Sequence, residues 1–262
     1  MIVSPGMSLG LQAPATALNP YDFARLSSEE MGRTLTSATT TLGMEFAMDG
    51  VLRYAANNLA LYSDDVSNAA WSKSGTTVVV NQAVGRDGLT TLDRVKESAG
   101  TGAHYALHDT TVIDGSRIVM SGVVKGWNRD WAFLEIYSSG GTGQQYLSID
   151  LTDGSYSEAV ASGGAFIESS VTDLGGGLYE WSATVTASSA TMRLIASPAE
   201  SDGTGRPVFA GDNTKGIYVG GLQVEQASLT QIAPTTYHTT TSAAYFGPRK
   251  QVVYCLLYTS PS

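Results

Sequence analysis

The chain has few of the residues on which most protein chemistry depends. Its 262 residues include one cysteine, Cys255, and three histidines. A single thiol excludes an intrachain disulfide framework. His104 and His108 lie four positions apart, but HYALHD reads as a strand. Strand rise puts such a pair about 13 Å apart, too far to share one ion. With His238 in the tail, no zinc-type ligand cluster forms. Charged residues are only 15% of the chain, and acidic ones outnumber basic ones 24 to 15, giving a net charge of −9. Without any basic run, that balance argues against electrostatic attraction to nucleic acid or an anionic bilayer. No apolar run is long enough to span a membrane. The start, MIVSPGMSLGLQAPATALNP, lacks the basic region and continuous apolar core of a signal peptide and reads as an exposed arm. There is no G-x-S-x-G. Gly175–Gly177 leads into a strand, so its amides gain no helix dipole with which to hold a phosphate.

Low charge with abundant Thr, Val and Tyr suits strands joined by turns, not disorder. The length suits one large or two small domains. TTVVVNQAV, HYALHDTTVI, SRIVMSGVVKG, WAFLEIYSS, QYLSIDL, AFIESSVTDL, LYEWSATVTA, TMRLIASPA and GIYVGGLQVEQ all read as strands. Turns fall at Arg86-Asp87-Gly88, Asp114-Gly115, Asp153-Gly154 and Gly175–Gly177. Such spacing predicts an all-β fold, an antiparallel β-sandwich or jelly roll, over residues 58–230. Asn58–Lys73 reads as its first strand and Lys215–Gln226 as its last, with the two adjacent. Residues 1–57 read as an arm, a short helix capped by Ser27 or Ser28, and a hairpin around Asp49-Gly50. Residues 231–254 read as an extended, Thr-rich tail.

Strand periodicity also nominates a binding surface. In WAFLEIY, Trp131, Phe133, Glu135 and Tyr137 share one face, while Ala132, Leu134 and Ile136 take the other, the better core face. In QYLSIDL, Leu147, Ile149 and Leu151 form the apolar face, and Tyr146, Ser148 and Asp150 the opposite one. If the two strands are neighbours, Trp131, Tyr137 and Tyr146 stand beside Glu135 and Asp150, partly exposed. Aromatic rings stack on the C–H face of a pyranose and carboxylates accept its hydroxyl protons, so the surface suits carbohydrate. The competing role is packing against a loop, an adjoining module or another subunit. Trp127, in the turn KGWNRD, is a further ligand candidate. Trp71 and Trp181, on strands, read as core. Glu135 and Asp150 would share one sheet surface without a cleft between them, unlike the opposed carboxylates of a glycosidase.

Five blocks, in order, resemble a β-sandwich module of bacteriophage tail and fibre proteins that is similar to family 4/9 carbohydrate-binding modules, a galactose-binding-like jelly roll. Asn58–Trp71 resembles the opening block and Gly85–Asp93 a turn block, with Leu92 where a small residue is usual. Val119–Gly126 resembles a strand ending in Lys-x-Gly. Asp173–Trp181 resembles a Gly-Asn-Gly-Trp-Tyr block, with Leu178 where Trp is usual. Gly216–Glu225 resembles the closing strand, Gly-x-Tyr-x-x-Gly-x-Gln-x-Glu. The resemblance implies a non-catalytic virion module, assembled in the host cytoplasm, that binds cell-surface glycan or other virion proteins. It implies no nucleic-acid partner and no membrane insertion, and it allows a homo-oligomer. It leaves open a pure assembly protein with no sugar site, or the accessory domain of a polysaccharide-degrading enzyme. It implies no cofactor beyond a structural Ca²⁺, for which Asp64, Asp65 and Glu225 are the candidate ligands; a solvated acidic turn is the alternative.

The last eight residues, CLLYTSPS, resemble the translation of a transposon-based sequencing adapter. That implies a gene assembled from environmental reads, with residues 255–262, Cys255 among them, foreign to the fold.

Overall fold

The computed structural model describes residues 35–37, 42–46, 52–247 and 249–251. These divide into two compact units, a larger one over Ala56–Tyr245 and a smaller one from the flanking segments. In the smaller unit Leu35–Ser37 pairs with Arg249–Gln251, and Met44–Phe46 pairs with Leu52–Tyr54, both antiparallel. The helix expected after Ser27 or Ser28, the turn at Asp49-Gly50 and the segment 255–262 lie outside the described residues.

Twelve strands in two six-stranded sheets build the body of the larger unit. They are β1 (Ser72–Ser74), β2 (Thr76–Val84), β3 (Thr90–Glu97), β4 (Tyr105–Thr111), β5 (Arg117–Trp127) and β6 (Trp131–Ser138). Then follow β7 (Gln144–Asp150), β8 (Tyr156–Ser162), β9 (Glu168–Asp173), β10 (Leu178–Thr186), β11 (Thr191–Ala199) and β12 (Gly216–Ala227). The first sheet runs β9-β10-β5-β12-β3-β2 and the second β8-β7-β6-β11-β4-β1. No helix occurs among the described residues, and none is long and apolar enough to cross a membrane. The fold is the expected antiparallel sandwich of jelly-roll kind.

Period-2 alternation decides which side chains fill the space between the sheets. The second sheet contributes Ala132, Leu134 and Ile136 from β6, Leu147 and Ile149 from β7, and Met192 and Leu194 from β11. The first contributes Ile118, Met120, Trp181, Val185, Ile217, Leu222 and Val224. Each fully buried Leu, Ile or Met among them stabilises the fold by about 1.5–3 kcal/mol of transfer free energy. Gly122 lies opposite Trp181 across the β5–β10 ladder. A Cβ there would sit 2.6 Å from Leu222 Cδ2 and 3.2 Å from the indole nitrogen, so a larger residue would have to displace Leu222 and crowd Trp181. Trp181 and Trp71 are both core residues, as their sequence context predicts.

The closing strand carries a bulge. Ser121 opposes Gln223 and Val123 opposes Gly220, so β12 holds one residue more than β5. Gly221 takes φ 56°, the left-handed conformation such a bulge needs. Beyond it β12 has no pairing with β3, whose contact ends at Val219. The opening block fills that edge. Gln226 N–H donates to Asn57 Oδ1 at 2.8 Å, Val224 N–H to Asn58 Oδ1 at 3.1 Å and Leu59 N–H to the Val224 carbonyl at 2.8 Å. The two boundary blocks are therefore neighbours, but not as the paired strands expected. Asn58–Trp71 is mostly turns, because Asp65 and Asn68 accept the N–H groups of Ser67 and Ala70 two residues on. Trp71 sits in this turn segment, just before β1.

Asp93 ties that segment to β3. It is fully buried and accepts the N–H of Val66 at 2.8 Å and of Asn81, itself at φ 54° in the irregular stretch of β2, at 2.9 Å. Burial pushes its carboxyl up to about 6, helped by the nearby Asp65 charge and against the backbone hydrogen bonds that pull it down. An unfolded Asp ionises near about 3.9. Between these values the folded chain keeps a proton that the unfolded chain has lost. The stability this group contributes is full below the unfolded value and is lost as pH rises through the folded one. Urea titrations of wild type and Asp93→Asn should show a wild-type advantage that shrinks as pH rises from about 4 to about 7. An advantage independent of pH would contradict this assignment.

Candidate functional site

The outer face of the second sheet is a grid of cross-strand rows, because directly opposed residues share a face. In the first row Gln144, Tyr137, Arg193 and Asp109 stand side by side on β7, β6, β11 and β4. Next come Tyr146, Glu135, Ile195 and Leu107. The third holds Ser148, Phe133 and Ser197, and the fourth Asp150, Trp131 and Ala199. The strands β6 and β7 are thus neighbours, and five of the six nominated residues share one surface.

The middle of that surface is covered. The segment from Glu200 to Val208 folds over it, and Arg206 forks onto Glu135, with Nε–Oε2 2.8 Å and Nη2–Oε1 3.0 Å. Gln144 Nε2 donates to the same carboxylate at 2.8 Å. Glu135 is fully buried, and a buried carboxylate needs such partners. The fork in turn holds the Arg206 guanidinium above its usual range. Tyr146 is 4% exposed, not partly open as expected, and packs against Phe133 with ring centroids 5.0 Å apart. Burial pushes its hydroxyl up, and the Glu135 charge adds to that. Trp131 packs against the same small cluster while staying half-buried. Asp150 lies across from Trp131 and accepts the N–H and hydroxyl of Thr152, so its carboxylate serves a turn.

The first row stays accessible. Tyr137 and Gln144 are half-buried and Asp109 is exposed. Arg193 forks onto Asp109 at 2.6 and 2.8 Å, and its Cζ lies 5.9 Å from the Tyr137 ring centroid. Arg206 Cζ lies 4.8 Å from the ring of Tyr105, a second half-buried tyrosine on this side of β4. The row therefore offers a fixed aromatic plate beside a guanidinium, an amide and a carboxylate, all locked by partners. Arg193 and Asp109 were legible: alternation along TMRLIASPA and HYALHDTT puts both on the outer face. Arg206 was not, because it lies in an irregular loop with no period.

Trp127 is not in a turn. It is the last residue of β5, in the first sheet, opposite Gly216. It therefore belongs to a different surface from Trp131 and Tyr137, and its indole stacks 4.2 Å from Arg94 Cζ.

The three calcium candidates do not meet at one ion. Asp64 accepts the Gly221 N–H and the Thr239 hydroxyl, each at 2.9 Å. Asp65 accepts the Ser67 N–H and hydroxyl. Glu225 is fully buried and accepts from Gln223 Nε2, Gln231 Nε2, and the N–H and hydroxyl of Thr235. Burial raises its carboxyl above the usual range despite these donors. No group of three or more metal-ligating side chains gathers among the described residues. His104 faces the carbonyls of Gly75 and Phe209, and His108 packs 4.9 Å from Trp71. His108 Nε2 accepts the Leu61 N–H, so the ring is neutral there, and burial lowers its proton affinity.

No protein-family model and no curated protein matches the sequence. Solved structures that resemble the chain include the CBM22-1 and GH10 modules of endo-1,4-β-D-xylanase 10B from Clostridium thermocellum, complexed with xylohexaose. That likeness has a TM-score of 0.36 at 15% identity and covers 69% of this chain and 30% of that one. TmCBM61 in complex with β-1,4-galactotriose matches at TM-score 0.36 and 9% identity, over 66% of this chain and 99% of that one. The enzymatically active domain of bacteriophage CBA120 tailspike protein 4 matches at TM-score 0.35 and 13% identity, over 64% and 21%. At these values the likeness is too slight to bear a functional argument.

Removing the Arg206 side chain strands a buried carboxylate on Gln144 alone. Arg206→Ala should lower unfolding free energy by about 3 kcal/mol in urea titration, and adding Glu135→Gln should recover part of the loss. Additive losses from the two changes would show that the fork is not what holds the loop.

Proposed function

We propose that the chain is a non-catalytic binding module of a bacteriophage tail or fibre, displayed on the virion, that takes cell-surface carbohydrate on the outer face of its second sheet. One observation carries this reading: the row Gln144–Tyr137–Arg193–Asp109, a half-open aromatic and polar strip crossing four strands. A tyrosine plate stacks on the C–H face of a sugar ring. The flanking amide, guanidinium and carboxylate offer donors and acceptors to its hydroxyls. Each is fixed before a ligand arrives, so little side-chain entropy is lost on binding. The nearby carboxylates are committed to structure, Glu135 to Arg206 and Asp150 to its turn. That is the arrangement of a platform and not of an acid–base pair.

A second reading, an assembly protein with no sugar site, rests on the edge strand β8. Tyr156 and Val160 stand 43% and 48% exposed there, an apolar edge that a neighbouring subunit would cover.

A glycan array separates the two. The intact chain should retain a defined set of neutral glycans, and Tyr137→Ala should weaken retention about tenfold without lowering the melting temperature. Failure to retain any glycan, with self-association on dilution series, would favour the assembly reading.

A further inference from the structure

The outer face of the first sheet is divided. One half, over Ser121, Thr184, Gln223 and Glu225, lies under residues 230–241: Thr184 Oγ1 donates to the Ile232 carbonyl, Thr235 to Glu225, and His238 N–H to Gln223 Oε1. The other half is open and has a different chemistry. There Lys125, Tyr218 and Arg94 form one cross-strand row on β5, β12 and β3, and Trp127, Gly216 and Lys96 form the next. All five side chains are half-buried and face outward. No carboxylate among the described residues forms an ion pair with Lys125, Arg94 or Lys96. The nearest acidic row residue, Glu180, is taken by Arg86. In a chain with 24 acidic and 15 basic residues, three uncompensated cations around a tryptophan and a tyrosine form a local field opposite to the whole. Screening within about 8–10 Å lets that local field dominate a bound group.

We propose that this half-sheet is a second binding site, on the opposite side of the sandwich from the Tyr137 row, and that its ligand is a carboxylate-bearing polysaccharide. Ladder geometry sets the cations about 10 Å apart across the strands and about 7 Å apart along β3. Carboxylates repeating along a sugar chain meet such a lattice. Lys125, whose Nζ also donates to the Gly176 carbonyl at 2.7 Å, and Lys96 present ammonium groups, and Arg94 lies over the Trp127 indole with Cζ 4.2 Å from the ring centroid, its Nε buried and lacking an acceptor. Trp127 and Tyr218 offer rings to the C–H faces between the carboxylates. A polynucleotide, likewise charged at every residue, is the competing polyanion that the experiment must separate from such a polysaccharide. The site is independent of the neutral-glycan row, shares no residue with it, and stands or falls separately.

The test is binding of the full chain to polygalacturonate, against the same polymer fully methyl-esterified, in affinity electrophoresis and calorimetry. The free acid should bind and the ester should not, and affinity should collapse between about 0.01 M and about 1 M salt. Lys96→Gln/Lys125→Gln should lose about tenfold or more in affinity with an unchanged melting temperature. Trp127→Ala should lose affinity as well, whereas Tyr137→Ala should keep it. Equal binding of acid and ester, no binding of the acid at low salt, or full affinity in the double lysine variant would overturn the proposal. Tighter binding of single-stranded DNA or polyglutamate than of polygalacturonate would overturn it too, by assigning the face to another polyanion.

Discussion

Three buried glutamates hold the surface of this sandwich in place. Glu97, Glu135 and Glu225 are each fully buried, and each fastens a different irregular segment. Glu97 binds the Arg129 guanidinium through both oxygens and takes the Asp212 N–H. Glu135 holds Arg206. Glu225 holds Gln231 and Thr235. A carboxylate deep in protein is strongly destabilising unless its lone pairs are met, so each glutamate dictates where its segment lies. The loops are therefore specific coverings, and what they leave bare follows from where the glutamates sit. Glu225 covers one half of the first sheet and leaves the Lys125 half open. Glu135 covers the middle of the second sheet and leaves the Tyr137 row open.

The same logic explains the closing motif. In Gly216–Glu225 the motif glycine, Gly221, makes the bulge that ends pairing with β3, and Gln223 and Glu225 hold the segment after the strand. Tyr218 is the one motif side chain on an open surface. Asn58, from the opening block, satisfies the edge that the bulge frees. These motif residues fix a fold, and the residues of both open surfaces lie mostly outside the motifs.

Much of the architecture was legible because strand periodicity is a local property. β2 and β11 fall where TTVVVNQAV and TMRLIASPA place them, and the inward faces of β6 and β7 follow alternation. β3 was hidden because TTLDRVKE is dense in charge, yet two of those charges, Asp93 and Glu97, are buried acceptors whose partners come from distant segments. β8, YSEAVAS, is an edge strand whose two large apolar residues, Tyr156 and Val160, stand among Ser, Glu and Ala and give no clear alternation signal. In the candidate site, alternation correctly grouped Trp131, Glu135, Tyr137, Tyr146 and Asp150. It could not show that a loop more than fifty positions away buries Tyr146 and Glu135, because Arg206 reaches Glu135 only through tertiary folding. Trp127 read as a turn residue because Asn128 follows it, but β5 runs on to the indole before Asn128 turns the chain at φ 56°.

The central claim is that the half-open row on the second sheet is where a glycan sits. The direct measurement is a backbone amide chemical-shift map of the intact chain, titrated with a neutral oligosaccharide that it retains on an array. Perturbations centred on Asp109, Tyr137, Gln144 and Arg193, with only faint changes at Trp127 and Lys125, are the predicted result. A map confined to the exposed edge around Tyr156 and Val160, or to residues 230–241, would contradict the account.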